Sequence, residues 1–139
     1  MTSMAAVLVV DDEALIRMAL ADALSEAGYA VIEASTVLEA VAALALHENI
    51  RTVITDVDMP GPLHGLDLAR LVASTMPLTQ IVVASGHNVH AKDLPLGASF
   101  LPKPYNIDAL VRDLPRLREK EAEAFRASNV IRLERFVRR

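Results

Sequence analysis

The run from Ala5 to Val10, Ala-Ala-Val-Leu-Val-Val, carries no polar residue and is halted at once by Asp11 and Asp12. A strand that alternates apolar and polar residues can lie on a surface, whereas one that is apolar throughout needs cover on both faces. This segment therefore belongs inside a sheet with helices above and below it. The composition agrees: 53 % of residues are hydrophobic but only 4 % aromatic. Such a core is built from Ala, Val, Leu and Ile, as helix packing on a parallel sheet prefers. A chain of 139 residues is long enough for one domain with a substantial core.

Helical and strand patterns then alternate. After the first strand, Ile16, Leu20, Ala23, Leu24 and Ala27 fall on one helical face that stops at Gly28. Tyr29–Ala34 reads as a second strand, and Ser35 or Thr36 caps a helix running to about His47, with Glu39 in its first turn. Arg51–Thr55 is a third strand, and Leu68, Leu71 and Val72 mark a helix ending near Pro77. Gln80–Ala84 is a fourth strand, Gly86–Leu94 has room for only a short helix, and Gly97–Leu101 is a fifth strand. Ile107, Leu110, Val111 and Leu114 share the face of a fifth helix. Five consecutive βα units imply a doubly wound α/β fold with a parallel sheet.

The charged residues that end these strands matter most. In an open parallel sheet the carboxyl ends of neighbouring strands converge on one crevice. Asp11 and Asp12 follow the first strand, Asp56 the third and Lys103 the fifth. Gathered there, three carboxylates and one ammonium repel unless a cation and an anionic substrate join them. Asp56, alone on its strand, is the best nucleophile toward phosphorus. Asp11 and Asp12 are adjacent, so one can hold a metal directly and the other through water. Mg²⁺ takes such a set, together with phosphate oxygens. Lys103 would pair with a phosphoryl oxygen, and Ser85, before the small Gly86, could donate a hydroxyl to another.

The order Asp-Asp, Asp with a following Met-Pro, Ser and Lys-Pro resembles the receiver domain of two-component response regulators, of the stand-alone chemotaxis type. The resemblance covers residues 4 to about 114. It implies a flavodoxin-like (βα)5 domain with strand order 2-1-3-4-5, a receiver over residues 1–114 and a charged helical extension over 115–139. It further implies that Asp56 is the phospho-acceptor, Asp12 a direct Mg²⁺ ligand, Asp11 a water-mediated one, and the Asp58 carbonyl a third ligand. Ser85 is then the hydroxyl switch, Lys103 the phosphate-pairing lysine before a cis peptide to Pro104, and Phe100 the aromatic whose rotamer reports activation. The implied donor is a phosphohistidine on a sensor histidine kinase or histidine phosphotransfer protein. The implied output is contact with a downstream protein. Such a domain is no enzyme with a separate substrate, although it promotes its own phosphorylation and dephosphorylation.

Three departures from the family's pattern stand out. The loop from Asp56 to Gly65 is one residue longer than the commonest pattern and holds Pro60 and Pro62. The stretch from Ser85 to Lys103 is short. Asp58 and His87 occupy positions that in the family tune dephosphorylation. A rival resemblance is to haloacid-dehalogenase phosphatases, because Asp56-Val57-Asp58 after an apolar strand looks like their first motif; that motif belongs near the start of the fold. A phosphorylation-independent scaffold is a third reading.

The remaining features bound the setting. Absence of cysteine excludes disulfides, thiolate zinc sites and cysteine nucleophiles. The start shows neither a basic segment before its apolar run nor a run long enough to span a membrane, so a cytoplasmic protein is expected. Residues 1–111 carry 5 Lys/Arg against 13 Asp/Glu, net −8, and residues 112–139 carry 9 against 5, net +4. The acidic part is no nucleic-acid binder. His87 and His90 lack a third ligand nearby and read as solvated loop residues. Pro115 interrupts the last helical pattern, leaving either a kinked continuation or a separate helix, too short for a DNA-binding module. There Phe125, Val130, Leu133, Phe136 and Val137 fall within one helical arc, which suggests a dimer or partner-docking helix.

Overall fold

The computed structural model describes residues 5–137, with side chains up to Ala127 except that of Phe125. The chain runs β1 (Ala6–Val10), α1 (Ala14–Glu26), β2 (Ala30–Ala34), α2 (Val37–Leu46), β3 (Ile50–Asp56), α3 (Gly65–Thr75), β4 (Gln80–Ser85), β5 (Ser99–Pro102) and α4 (Ile107–Val137). The five strands form one parallel sheet in the order β2-β1-β3-β4-β5, as the family resemblance implies.

The uniformly apolar strand behaves as its composition demands. Val7 and Val9 project to one face, where they pack with Leu20 and Leu24 of α1 and with Leu110 and Leu114 of α4. Ala6, Leu8 and Val10 project to the other face, beside Ala40 of α2 and Leu68 and Val72 of α3. The twofold alternation of a strand thus feeds two separate cores. Every residue of β1 is buried. Thr36, rather than Ser35, caps α2 by accepting the Glu39 N–H, while the Ser35 hydroxyl donates to the Glu39 carboxylate.

The sequence leaves two segments partly open. Between β4 and β5 there is no fourth α-helix, only one 3₁₀ turn at Ala91–Asp93. Residues 86–98 include Gly86, Pro95 and Gly97 and lack a helical apolar period, so a full turn sequence cannot propagate. The loop still covers the sheet: Val89, Leu94 and Ala98 pack on the core around Ile81 and Val83. Arg70 of α3 holds it by donating to the Asp93 carbonyl at 3.2 Å.

The second is the tail after Pro115: of the two readings, a continuation and a separate helix, the structure has the continuation, α4 running through Pro115 in one helix. An interior proline removes the N–H that residue 111 would receive and costs about 3 kcal/mol. Tertiary contacts offset this. Gln80 Nε2 donates to the Leu114 carbonyl at 2.8 Å, and Arg118 donates to the Arg51 carbonyl at 3.3 Å. Leu110 and Leu114 are themselves buried. The apolar arc of Phe125, Val130, Leu133, Phe136 and Val137 lies outside the side chains described.

Gly65 joins the fold to the crevice. It opens α3, and a Cβ there would collide with the backbone carbonyl oxygen of Asp56. No side chain fits without parting α3 from the end of β3. Gly65→Ala is expected to destabilise the domain by about 3 kcal/mol, the upper range for overpacking. Urea denaturation measures this, and an unchanged midpoint would show that the two backbones do not need this approach.

Candidate phosphoryl-acceptor and metal site

The strand ends bring the predicted side chains together. β1 and β3 are neighbours, with Val10 opposite Thr55, so Asp11 and Asp56 emerge side by side. Carboxylate oxygens of Asp11, Asp12 and Asp56 lie within 4.8 Å of one another. Asp11 and Asp56 are buried and Asp12 is exposed, which leaves one side of the cluster open to solvent.

Lys103 reaches this cluster from β5 across β4. Its backbone N–H donates to the Ser85 carbonyl at 2.8 Å, continuing the ladder one residue past the strand. The peptide to Pro104 is cis. Nζ donates to Asp56 Oδ2 at 3.0 Å and stands 3.6 Å from Asp11 Oδ2. Burial alone would push this ammonium down, but the Asp56 hydrogen bond and the charges of Asp11 and Asp56 outweigh it and hold it above its ordinary range. Asp11 is displaced in the opposite sense for a carboxylate. Burial raises it, the Glu13 N–H at 2.9 Å and Lys103 pull it down, and the charges of Asp56 and Glu13 push it up; the net effect is upward. Three carboxylates therefore share one lysine, and the crevice retains excess negative charge.

The loop after β3 finishes the pocket. The Val57 N–H donates to the Ala84 carbonyl, and the Asp58 N–H returns to Asp56 Oδ1 at 3.2 Å. Both oxygens of Asp56 are thus oriented, one by a backbone amide and one by Lys103. The side chain of Asp58 turns outward, where Oδ2 lies 3.3 Å from His87 Nε2, both residues being exposed. His87 is a solvated loop histidine, as expected, and it stands beside the residue two after Asp56. Ser85 is buried at the end of β4, and its hydroxyl accepts the His87 N–H at 3.0 Å. Phe100 sits in β5 opposite Val83, half-buried beside a groove shared with Tyr105 and Ala109.

Two residues near the site were invisible to motif reading. Arg17, one turn into α1, donates to the Asp11 carbonyl at 2.9 Å and pairs with Glu33 of β2 at 3.2 Å. It secures the bend that presents the acidic pair. Tyr105 is raised above its usual range, first by burial and then by the charge of Asp11. A charged residue seven positions after a strand end, or an aromatic two after a lysine, has no signal in a single sequence.

The donor set suits a hard, oxygen-seeking divalent cation: carboxylates, a nearby backbone carbonyl loop, and no His or Cys among the clustered acids. Fold and crevice together define an α/β domain whose strand ends form an acidic cup bridged by one lysine. The sequence family described as the response regulator receiver domain matches residues 7–114. The chain belongs to that family. It is 34 % identical over 122 residues to the sensor kinase CckA of Brucella abortus, covering 84 % of this chain and 13 % of that protein. Against the transcriptional regulatory protein PdtaR of Mycobacterium tuberculosis it is 38 % identical over 109 residues, covering 76 % of this chain and 52 % of the relative. It thus spans at most about half the length of these relatives. Among solved structures, the response regulator TrrA of Thermotoga maritima in complex with Mg²⁺-BeF superimposes with a TM-score of 0.70 and 31 % identity, over 82 % of this chain and 99 % of that one.

Removing the lysine tests the balance of charge. Lys103→Met leaves Asp11 and Asp56 buried without a cation and is expected to cost about 3 kcal/mol at neutral pH in metal-free buffer. Millimolar Mg²⁺ should recover part of that loss. Urea titrations with and without the metal read both effects, and equal stability of the two proteins would mean the carboxylates do not depend on Lys103.

Proposed function

We propose that this chain is a response regulator that accepts a phosphoryl group on Asp56 from a phosphohistidine and signals through protein contacts. The donor is a sensor histidine kinase or a histidine phosphotransfer protein. The observation that carries the reading is the Lys103–Asp56 contact at 3.0 Å inside the cluster of Asp11, Asp12 and Asp56. A receiver 31 % identical to this chain is described in complex with Mg²⁺-BeF, which supports a like chemistry here.

Asp56 Oδ attacks phosphorus, the bond from phosphorus to the histidine nitrogen breaks, and the imidazole leaves with that electron pair. The Asp58 N–H orients the carboxylate for attack. Lys103 is already at hydrogen-bond distance from the carboxylate and, keeping its proton, pairs with a phosphoryl oxygen as the bond forms. Asp12 and Asp11 would hold Mg²⁺, directly and through water, with the Asp58 carbonyl and Asp56 completing the protein's share. When bound, the ion neutralises charge on the phosphoryl oxygens.

The switch follows from Ser85. Its hydroxyl hydrogen is free to turn, because the oxygen presently accepts from His87. A phosphoryl oxygen on Asp56 draws that hydroxyl inward, and Phe100 on the adjoining strand takes the space released. This is a two-state element biased by one local charge. The exposed Asp58–His87 pair stands at the mouth, where water must approach for hydrolysis. Its outward turn also leaves Asp58 poorly placed for general acid work in the crevice, against the phosphatase reading.

Incubation with a small-molecule phosphodonor and Mg²⁺ is expected to add one phosphoryl mass to the wild type. Asp56→Asn should reduce labelling by at least about a hundredfold, and a chelator should do likewise. Unlabelled wild type beside a labelled control receiver would discard the proposal. Steady turnover of a phosphate ester, lost in Asp58→Asn, would replace it with the phosphatase reading.

A further inference from the structure

Arg17 stands where local electrostatics argue against a cation. It is the fourth residue of α1, just after the Glu13 cap, and the first turn of a helix favours acids because its free N–H groups carry partial positive charge. It also lies beside a crevice suited to a divalent cation, whose approach a like charge opposes. Tertiary bonds explain its presence. Nη1 donates to the Asp11 carbonyl at 2.9 Å, and Nε donates to Glu33 Oε1 of β2 at 3.2 Å, with the side chain only 18 % exposed.

The strand ladder shows why these bonds are wanted. The Asp11 N–H donates to the carbonyl of Ala34, the last residue of β2. In a parallel ladder a residue so bonded offers its own carbonyl to the same neighbour two residues further on. By Thr36, however, the chain has turned to cap α2. The Arg17 guanidinium takes the Asp11 carbonyl in the strand's place. On the other side of the bend, Asp11 Oδ1 accepts the Glu13 N–H at 2.9 Å. Asp11 is thus held through its N–H by β2, through its carbonyl by α1 and through its side chain by the residue that caps α1. Its carbonyl belongs to the peptide that leads into Asp12, so the tilt of that peptide sets where the Asp12 carboxylate leaves the chain. Asp12 is exposed and takes its aim from this backbone rather than from packing.

We propose that Arg17 and Glu33 are a positioning pair for the metal site: the guanidinium, braced by Glu33, fixes the Asp11–Asp12 peptide so that the acidic pair faces an incoming Mg²⁺. This rests on the reading of the crevice as a Mg²⁺ site. Neither residue touches the acceptor, the ion or the phosphoryl group; both act through the backbone of Asp11. The planar fork of an arginine suits the task, because it presents donors to two partners at a fixed angle. Charge and positioning predict opposite signs when Arg17 is replaced by a neutral residue. Loss of a nearby cation would tighten Mg²⁺ binding, whereas loss of the brace weakens it. Outer contacts that orient metal ligands are worth roughly ten- to a hundredfold in affinity. Salt of about 0.15 M screens the charge effect and leaves the orientation intact, so weakening should prevail.

Titration of the full, unphosphorylated chain with MgCl₂ at that salt, followed by amide NMR, tests this. Shifts of residues 11–13 and 56–58 give the Kd, and the remaining spectrum reports whether each variant is folded. Arg17→Met should weaken Mg²⁺ binding about tenfold, and Glu33→Ala roughly threefold or more. Glu33→Gln keeps an acceptor for Nε without the charge and should bind nearly as the wild type does. Should R17M fail to fold, the two Glu33 variants, altered at a side chain 40 % exposed, carry the comparison. A folded R17M that binds Mg²⁺ as tightly as the wild type or tighter would overturn the pair's role and leave the metal site standing. So would an E33A variant with wild-type affinity, or E33Q as weak as E33A, which would make the effect one of charge. Wild-type amides that ignore Mg²⁺ would instead sink the metal-site reading and this inference with it.

Discussion

The structure is organised around carboxylates kept out of water. Asp11 and Asp56 are buried at the ends of two central strands, and Lys103 is their nearest cation. Removing charge from water costs several kcal/mol per ion, and a single ammonium among three acids returns only part of it. A fold tolerates such an arrangement when a ligand restores the balance, and strain of this kind gathers at functional sites. Parallel strands make it possible, because only they bring several chain segments to one crevice from the same direction. The apolar cores on both faces supply the stability that the crevice withholds.

The missing fourth helix reshapes the opposite end of the sheet. β5 has four residues, and residues 86–98 reach it as a packed loop. The lower half of β4 is consequently left without a neighbour on that side. The helix after β5 supplies one, by continuing through Pro115 and placing Gln80, Ile81 and Ser99 in contact with its own backbone or side chains. Two departures that look unrelated along the chain, a short loop and a proline-bearing extension, thus compensate each other in space. β4 and β5 carry Ser85 at one end and meet the Glu121 carboxylate near the other, so the crevice and the extension share two rigid elements.

Much of the site could be read along the chain because its residues sit where strand periodicity ends. An apolar run followed by Asp11 and Asp12 marks a strand terminus, and the Met-Pro after Val57 and Asp58 stops any continuation. Contacts between distant segments left no such mark. Arg17 bonding the Asp11 carbonyl, His87 meeting Asp58 and Glu121 reaching Ile81 each join residues whose spacing follows no helical or strand period. Pro115 shows the reverse case: local propensity argues for a break, and the tertiary contacts of Leu114 and Arg118 override it.

The amino-acid sequence by itself determined the alternating elements, the buried parallel sheet and the identity of the acids and lysine at its rim. These follow from periodicity and burial, which are local properties of a chain. Tertiary structure alone decided that Lys103 lies 3.0 Å from Asp56, that the fourth helix gives way to a packed loop, and that α4 survives its proline. Those outcomes depend on which strands become neighbours and on polar groups finding partners across the sheet. Such a sum of desolvation and pairing is settled only when the whole chain has closed.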